Sequence, residues 1–189
     1  MDAGGSVSKA SVRRSLAVLK LRLVEDALAQ GDRLSLDRRL AELKSSTIDL
    51  LEIDPADSFF WLIYYWCQLT TEGFSPSQLD LLVFSYDLGP NEGWVAIKRN
   101  RLALSVISQL SDSMSKRVVD EFAGMVAAGL IVDAASSLNS VAAPLRSRLL
   151  EGLTKVPLAE RERLARYLND TTTIEVVIPG VKLPEKRFY

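Results

Sequence analysis

Gly31, Pro55, Gly73, Pro90 and Gly129 interrupt a chain in which apolar residues otherwise recur every three to five positions. That spacing keeps one face of a helix apolar, and Gly and Pro are the residues that end helices. The pattern therefore constrains the chain to a succession of helices joined by short turns. A hydrophobic fraction of 48% over 189 residues supplies enough side chains for a buried core. One domain, or two small helical halves, fits that length.

Val12, Leu16, Leu19, Leu23 and Leu28 predict an amphipathic helix ending near Gly31, preceded by a Gly/Ser-rich stretch, residues 1–8, expected to be disordered. Leu36, Leu40, Leu43, Thr47, Leu50 and Leu51 mark the buried stripe of a second helix closed by Asp54-Pro55. Asp57 or Ser58 caps a third, whose run Phe59, Phe60, Ile63, Tyr64, Trp66 and Cys67 is apolar nearly all round. Ser75-Pro76 opens a fourth, Asn91 caps a fifth, and Ser111 or Ser113 starts a sixth that stops at Gly129. Shorter helices follow from Ile131, Pro144 and Leu158. Residues 171–189 are β-branched and broken by Pro179, Gly180 and Pro184, which predicts an extended tail that packs along the helices, pairs as a strand or stays free. The expected fold class is all-α, with residues 9–170 as a single helical domain of antiparallel helix pairs. Such pairs form either an open solenoid or a closed bundle.

Charge is unevenly spread. Residues 1–94 carry 9 basic and 14 acidic side chains, residues 95–189 carry 14 and 10, so a net charge of −1 hides halves of about −5 and +4. No Lys or Arg lies between Lys44 and Lys98, whereas Glu52, Asp54, Asp57, Glu72, Asp80, Asp87 and Glu92 all do. The plain expectation is that this acidic block faces the chain's own basic helices; the sharper one is a docking face for a basic partner. The balance does not suit a nucleic-acid binder.

The absence of histidine removes Ser-His and Cys-His nucleophiles, imidazole acid/base chemistry and His-containing zinc sites. No phosphate-binding Gly loop and no calcium-loop spacing occurs, so no cofactor, no metal and no catalytic residue is expected. Paired carboxylates such as Asp120-Glu121 and Glu160-Glu162 read as solvated charge. Cys67 reads as a small buried hydrophobe. No run of apolar residues is long enough to span a bilayer, and Lys20 and Arg22 break the first helix's apolar run too early for a signal peptide. A cytoplasmic location is expected, with membrane association left open.

What remains is surface for binding. Trp94 and Lys98 are four residues apart on one helix, followed by Arg99 and Arg101, and Trp61 and Tyr65 are placed to reach the concave face of a helical array. These six residues are the candidate binding set. The first helix, with Arg13, Arg14, Lys20 and Arg22, suits a partner helix, a homo-oligomer seam or a lipid surface.

The helix starts near Asp57 and Asn91 are 34 residues apart, the period of tetratricopeptide repeats. Asp54-Pro55-Ala56-Asp57 ahead of Trp61 and Tyr64 resembles the inter-repeat junction and first-helix aromatics of tetratricopeptide-like proteins. Leu88 to Leu104, with Gly89-Pro90-Asn91-Glu92-Gly93-Trp94, resembles a stretch of short uncharacterised proteobacterial proteins whose genes lie among those for cell-surface polysaccharide export or assembly. The resemblance covers roughly residues 50–140; small residues are not regularly placed at helix crossings, and no second clean copy of the motif follows. It implies a short α-solenoid or right-handed superhelix acting as a non-catalytic adaptor or scaffold for another protein. A peripheral membrane or anionic-ligand binder, using the first-helix cations with Lys98, Arg99 and Arg101, is the alternative.

Overall fold

The computed structural model describes residues 3–171 and 176–182. Among them are nine α-helices and no strand: α1 (Ala3–Gln30), α2 (Arg33–Leu51), α3 (Ser58–Glu72), α4 (Leu79–Leu88), α5 (Gly93–Ser105), α6 (Asp112–Ala127), α7 (Ile131–Asn139), α8 (Ala143–Gly152) and α9 (Leu158–Thr171). The protein is all-α. The helices group into two compact units, Met1–Pro90 and Asn91–Tyr189. The first helix begins at Ala3, inside the stretch expected to be disordered.

Local chemistry sets the boundaries. Gly31, Gly73 and Gly129 follow α1, α3 and α6 with φ of 67°, 76° and 77°, the left-handed conformation that Gly adopts without a Cβ clash. Asp57 caps α3 by accepting from the Phe59 and Phe60 amides at 3.1 and 3.2 Å, and Ser111 caps α6 by accepting from Met114 at 3.2 Å. Ser75 and Gln78 form a capping box around the 3₁₀ turn Pro76–Gln78 that leads into α4. The fifth helix starts one residue later than expected: Glu92 occupies the cap position, where its backbone carbonyl accepts from the Val95 and Ala96 amides.

In the first unit each helix packs on the next, α1 on α2, α2 on α3 and α3 on α4. α1 and α2 run antiparallel: Arg13 donates to the Asp49 carbonyl, Lys20 to Ser46 Oγ at 2.6 Å, and Arg39 to the Leu23 carbonyl, so contacts ascend one helix as they descend the other. Phe60, Leu62, Tyr65 and Cys67 of α3 are fully buried, together with Leu43 and Leu50 of α2 and Leu82 of α4. The second unit is organised differently. α6 packs on α5, α7, α8 and α9, and α7 packs on α9 as well, around Val118, Phe122, Met125, Leu138, Leu149 and Leu164. Contacts of that kind gather helices around one central helix, whereas a repeat array joins each unit to its neighbours. Of the tail, Ile178 is buried and Pro179-Gly180 forms a turn closed by the Val181 amide on the Ile178 carbonyl, with Arg161 of α9 donating to the Pro179 carbonyl. The rest of that tail, residues 172–175 and 183–189, lies outside the described residues.

Candidate binding surfaces

The first helix places its apolar residues on two sides. Ala17, Leu21, Val24 and Ala27 are buried. Val12, Leu16, Leu19, Leu23 and Leu28, the set that dominates the sequence pattern, are 65%, 47%, 57%, 40% and 47% exposed. At 3.6 residues per turn, the buried set and the set from Val12 to Leu23 lie on neighbouring faces whose centres are about 115° apart. The expected core stripe of α1 is therefore on the outside, and smaller side chains make the contact with α2.

On α3 and α4 the aromatic residues divide by depth. Tyr65 is fully buried, so it offers no surface to a partner, and burial raises its phenol above its ordinary pKa. Among the described residues its hydroxyl has no hydrogen-bond partner. Trp61 is half-buried; its indole N–H donates to the Pro55 carbonyl at 2.8 Å, and its ring lies 4.8 Å from that of Phe84, tilted by 45°. Phe84 is 44% exposed, and Leu88, one turn further along α4, is 41% exposed. Phe84 and Leu88 were not among the residues singled out from the sequence. Their one-turn spacing was visible, but nothing local distinguished them from core residues such as Leu82.

The acidic block is partly matched within its own unit. Asp57 pairs with Arg14 of α1, and Glu72 pairs with Lys44 of α2 at 2.5 Å. Both cations lie N-terminal to the block, on α1 and α2.

In the second unit α5 separates the four candidate residues. Trp94 is 51% exposed, and Lys98 and Arg101, four and seven positions on, are exposed along the same side of the helix. Arg99 points the other way and is fully buried: its Nε and Nη2 donate to Glu121 Oε1 of α6 at 2.9 and 2.6 Å. Asn100 donates to the Val118 carbonyl at 2.9 Å and to Glu121 Oε2 at 3.4 Å. Arg99 is thus a structural cation joining α5 to α6 and offers no anion-binding surface.

Among the described residues no group of three or more Cys, Asp or Glu is placed to hold a metal ion, and no helix is long and apolar enough to cross a membrane. The chain matches no protein-family model, no curated protein and no solved structure.

Proposed function

We propose that the protein is a non-catalytic interaction module of tetratricopeptide-like build that holds another protein against the outer face of α3 and α4. The observation that carries this reading is the Trp61–Phe84 pair. Phe84 and Leu88 keep large apolar surfaces in water within a segment that has no cation from residue 45 to residue 97. Aromatic anchors set among like charges suit a partner segment with apolar and basic residues. The consecutive packing of α1 to α4 supports tetratricopeptide-like stacking in the first unit. A role in envelope polysaccharide production, in the cytoplasm, belongs to the same proposal and rests on the resemblance of residues 50–140.

The alternative, an anionic-surface binder, drew on seven cations. Arg13, Arg14, Lys20 and Arg99 each bond to their own unit, which leaves that reading less support. The test is affinity purification of the tagged wild type and of a Phe84→Ser/Leu88→Ser variant from native cells. A partner recovered in stoichiometric amount with wild type, and lost with a variant of unchanged melting temperature, is expected. Equal recovery with both overturns the assignment of this face.

A further inference from the structure

We propose that two copies of the chain pair antiparallel through the outer face of α1, a surface separate from the α3–α4 face. Val12, Leu16, Leu19 and Leu23 are spaced four, three and four residues apart, the alternation that keeps a seam facing a second helix. The buried face of α1 already meets α2, and among the described residues these four side chains stay 40–65% exposed. At 3.6 residues per turn they span roughly 60° of arc. Val18 and Leu28, 46% and 47% exposed, lie outside this arc, and the charges at its two ends single out a second copy as the occupant.

The charges at the ends of the seam select the partner and its direction. Continuing the same alternation outward places Lys9 before Val12 and Asp26 after Leu23. In an antiparallel pair Val12 faces Leu23 of the other copy, Leu16 faces Leu19, and Lys9 faces Asp26, with each match occurring twice about the two-fold axis. A parallel pair would set Lys9 on Lys9 and Asp26 on Asp26. Lys9 is exposed, and the Asp26 side chain is 45% exposed with Arg22 at 3.6 Å, so both reach the seam. On one flank Arg22 comes level with Ser15 of the other copy. On the other flank Arg13 approaches Lys20; both donate to α2, to the Asp49 carbonyl and to Ser46, which draws them aside. A seam from Lys9 to Asp26 is about 27 Å long. It buries on the order of 1,000 Å², the low end for a specific interface, so the dimer is expected to form at micromolar concentration.

The experiment is sedimentation of the full chain across a concentration series at low and moderate salt. Wild type is expected to move from monomer to dimer over that range. Leu16→Ser/Leu19→Ser is expected to remain monomeric with an unchanged melting temperature. Lys9→Asp and Asp26→Lys should each weaken the dimer by about 5-fold or more, and the double exchange should restore it. Rescue identifies the antiparallel pairing, because in a parallel dimer the exchange only replaces one set of like charges by another.

A wild type that stays monomeric throughout overturns the proposal, as does a dimer that survives Leu16→Ser/Leu19→Ser. A monomer that co-sediments with vesicles of mixed neutral and anionic phospholipid, and loses this with the same substitutions, assigns the face to lipid instead. Phe84→Ser/Leu88→Ser should leave the dimer intact, so failure of one proposal does not decide the other.

Discussion

Arg14 of α1 reaches across the first unit to Asp57, and the carboxylate it meets is the one that caps α3. Asp57 Oδ1 takes the Phe59 and Phe60 amides while Oδ2 takes the guanidinium, which also lies 5.4 Å from the centre of the Phe60 ring. One side chain therefore ends a turn, starts a helix and binds a helix two elements away.

Replacing Asp57 tests each of these roles. Asp57→Ala removes the cap and strands Arg14 beside Phe60, and should cost about 1–2 kcal/mol, read as a lower melting temperature. Asp57→Asn keeps an acceptor for the amides and should cost less. Burial raises the Asp57 carboxyl above its ordinary value, against the opposing pull of Arg14 and the two amides. A raised folded-state pKa means that the native state binds the proton more tightly than the unfolded chain. The contribution of this group is then fully present below its unfolded pKa and is lost as pH rises through the folded value. The stability of wild type relative to Asp57→Asn should accordingly fall between acid and neutral pH. A difference that does not vary with pH, in paired denaturation curves, would contradict this.

Arg99 and Glu121 make a second prediction. Their side chains are 0% and 7% exposed, so Arg99→Met takes the guanidinium away from a buried carboxylate and should cost on the order of 3 kcal/mol. Arg99→Met/Glu121→Leu should recover a large part of that loss, because an apolar pair of similar volume replaces the charge pair. Lys98→Glu, at an exposed position, should cost about 1 kcal/mol or less. Chemical denaturation of the three variants beside wild type checks the order. Equal effects at positions 98 and 99 would refute the buried pair.

Neighbouring cations with opposite fates show where sequence reasoning stops. Lys98 and Arg99 differ by 100° of helical rotation, and the residue that makes Arg99 internal is 22 positions away. Helix limits were legible because their causes are local: Gly31, Gly73 and Gly129 end helices, and Asp57 and Ser111 begin them. The inward face of α1 was not legible, because two neighbouring faces of the helix carry apolar residues and most of its leucines point out. Close packing of α1 on α2 uses Ala17, Val24 and Ala27, whose small volume makes a weaker pattern than leucine. The half-exposed pair Trp61 and Phe84 was legible only as far as Trp61, since the ring that covers it comes from another helix.

Cys67 should be chemically silent in the folded protein. It is fully buried, and burial pushes its thiol up to about 12, so thiolate is scarce at pH 8. A disulfide reagent should label it only as fast as the first unit opens. Labelling in native buffer at the rate of a free thiol would show that α3 is more accessible than its packing implies.

Two helical glycines should respond oppositely to the same substitution. In a helix interior Ala is favoured over Gly by about 1 kcal/mol, since Gly gives up more backbone freedom on folding. At Gly124 of α6 an added Cβ meets nothing within 4 Å, so Gly124→Ala should raise the melting temperature. At Gly152, the last residue of α8, an added Cβ would sit 2.7 Å from Val119 Cγ1 of α6. Val119 is 7% exposed, and a β-branched side chain has one preferred rotamer in a helix, so it cannot swing away without cost. Relief requires α8 to move off α6, and overpacking of that kind costs about 1–3 kcal/mol, more than the helix propensity returns. Gly152→Ala should therefore lower the melting temperature. Stabilisation by both substitutions would mean that α8 and α6 are not in close contact at this crossing, and that α6 is not the central helix of the second unit.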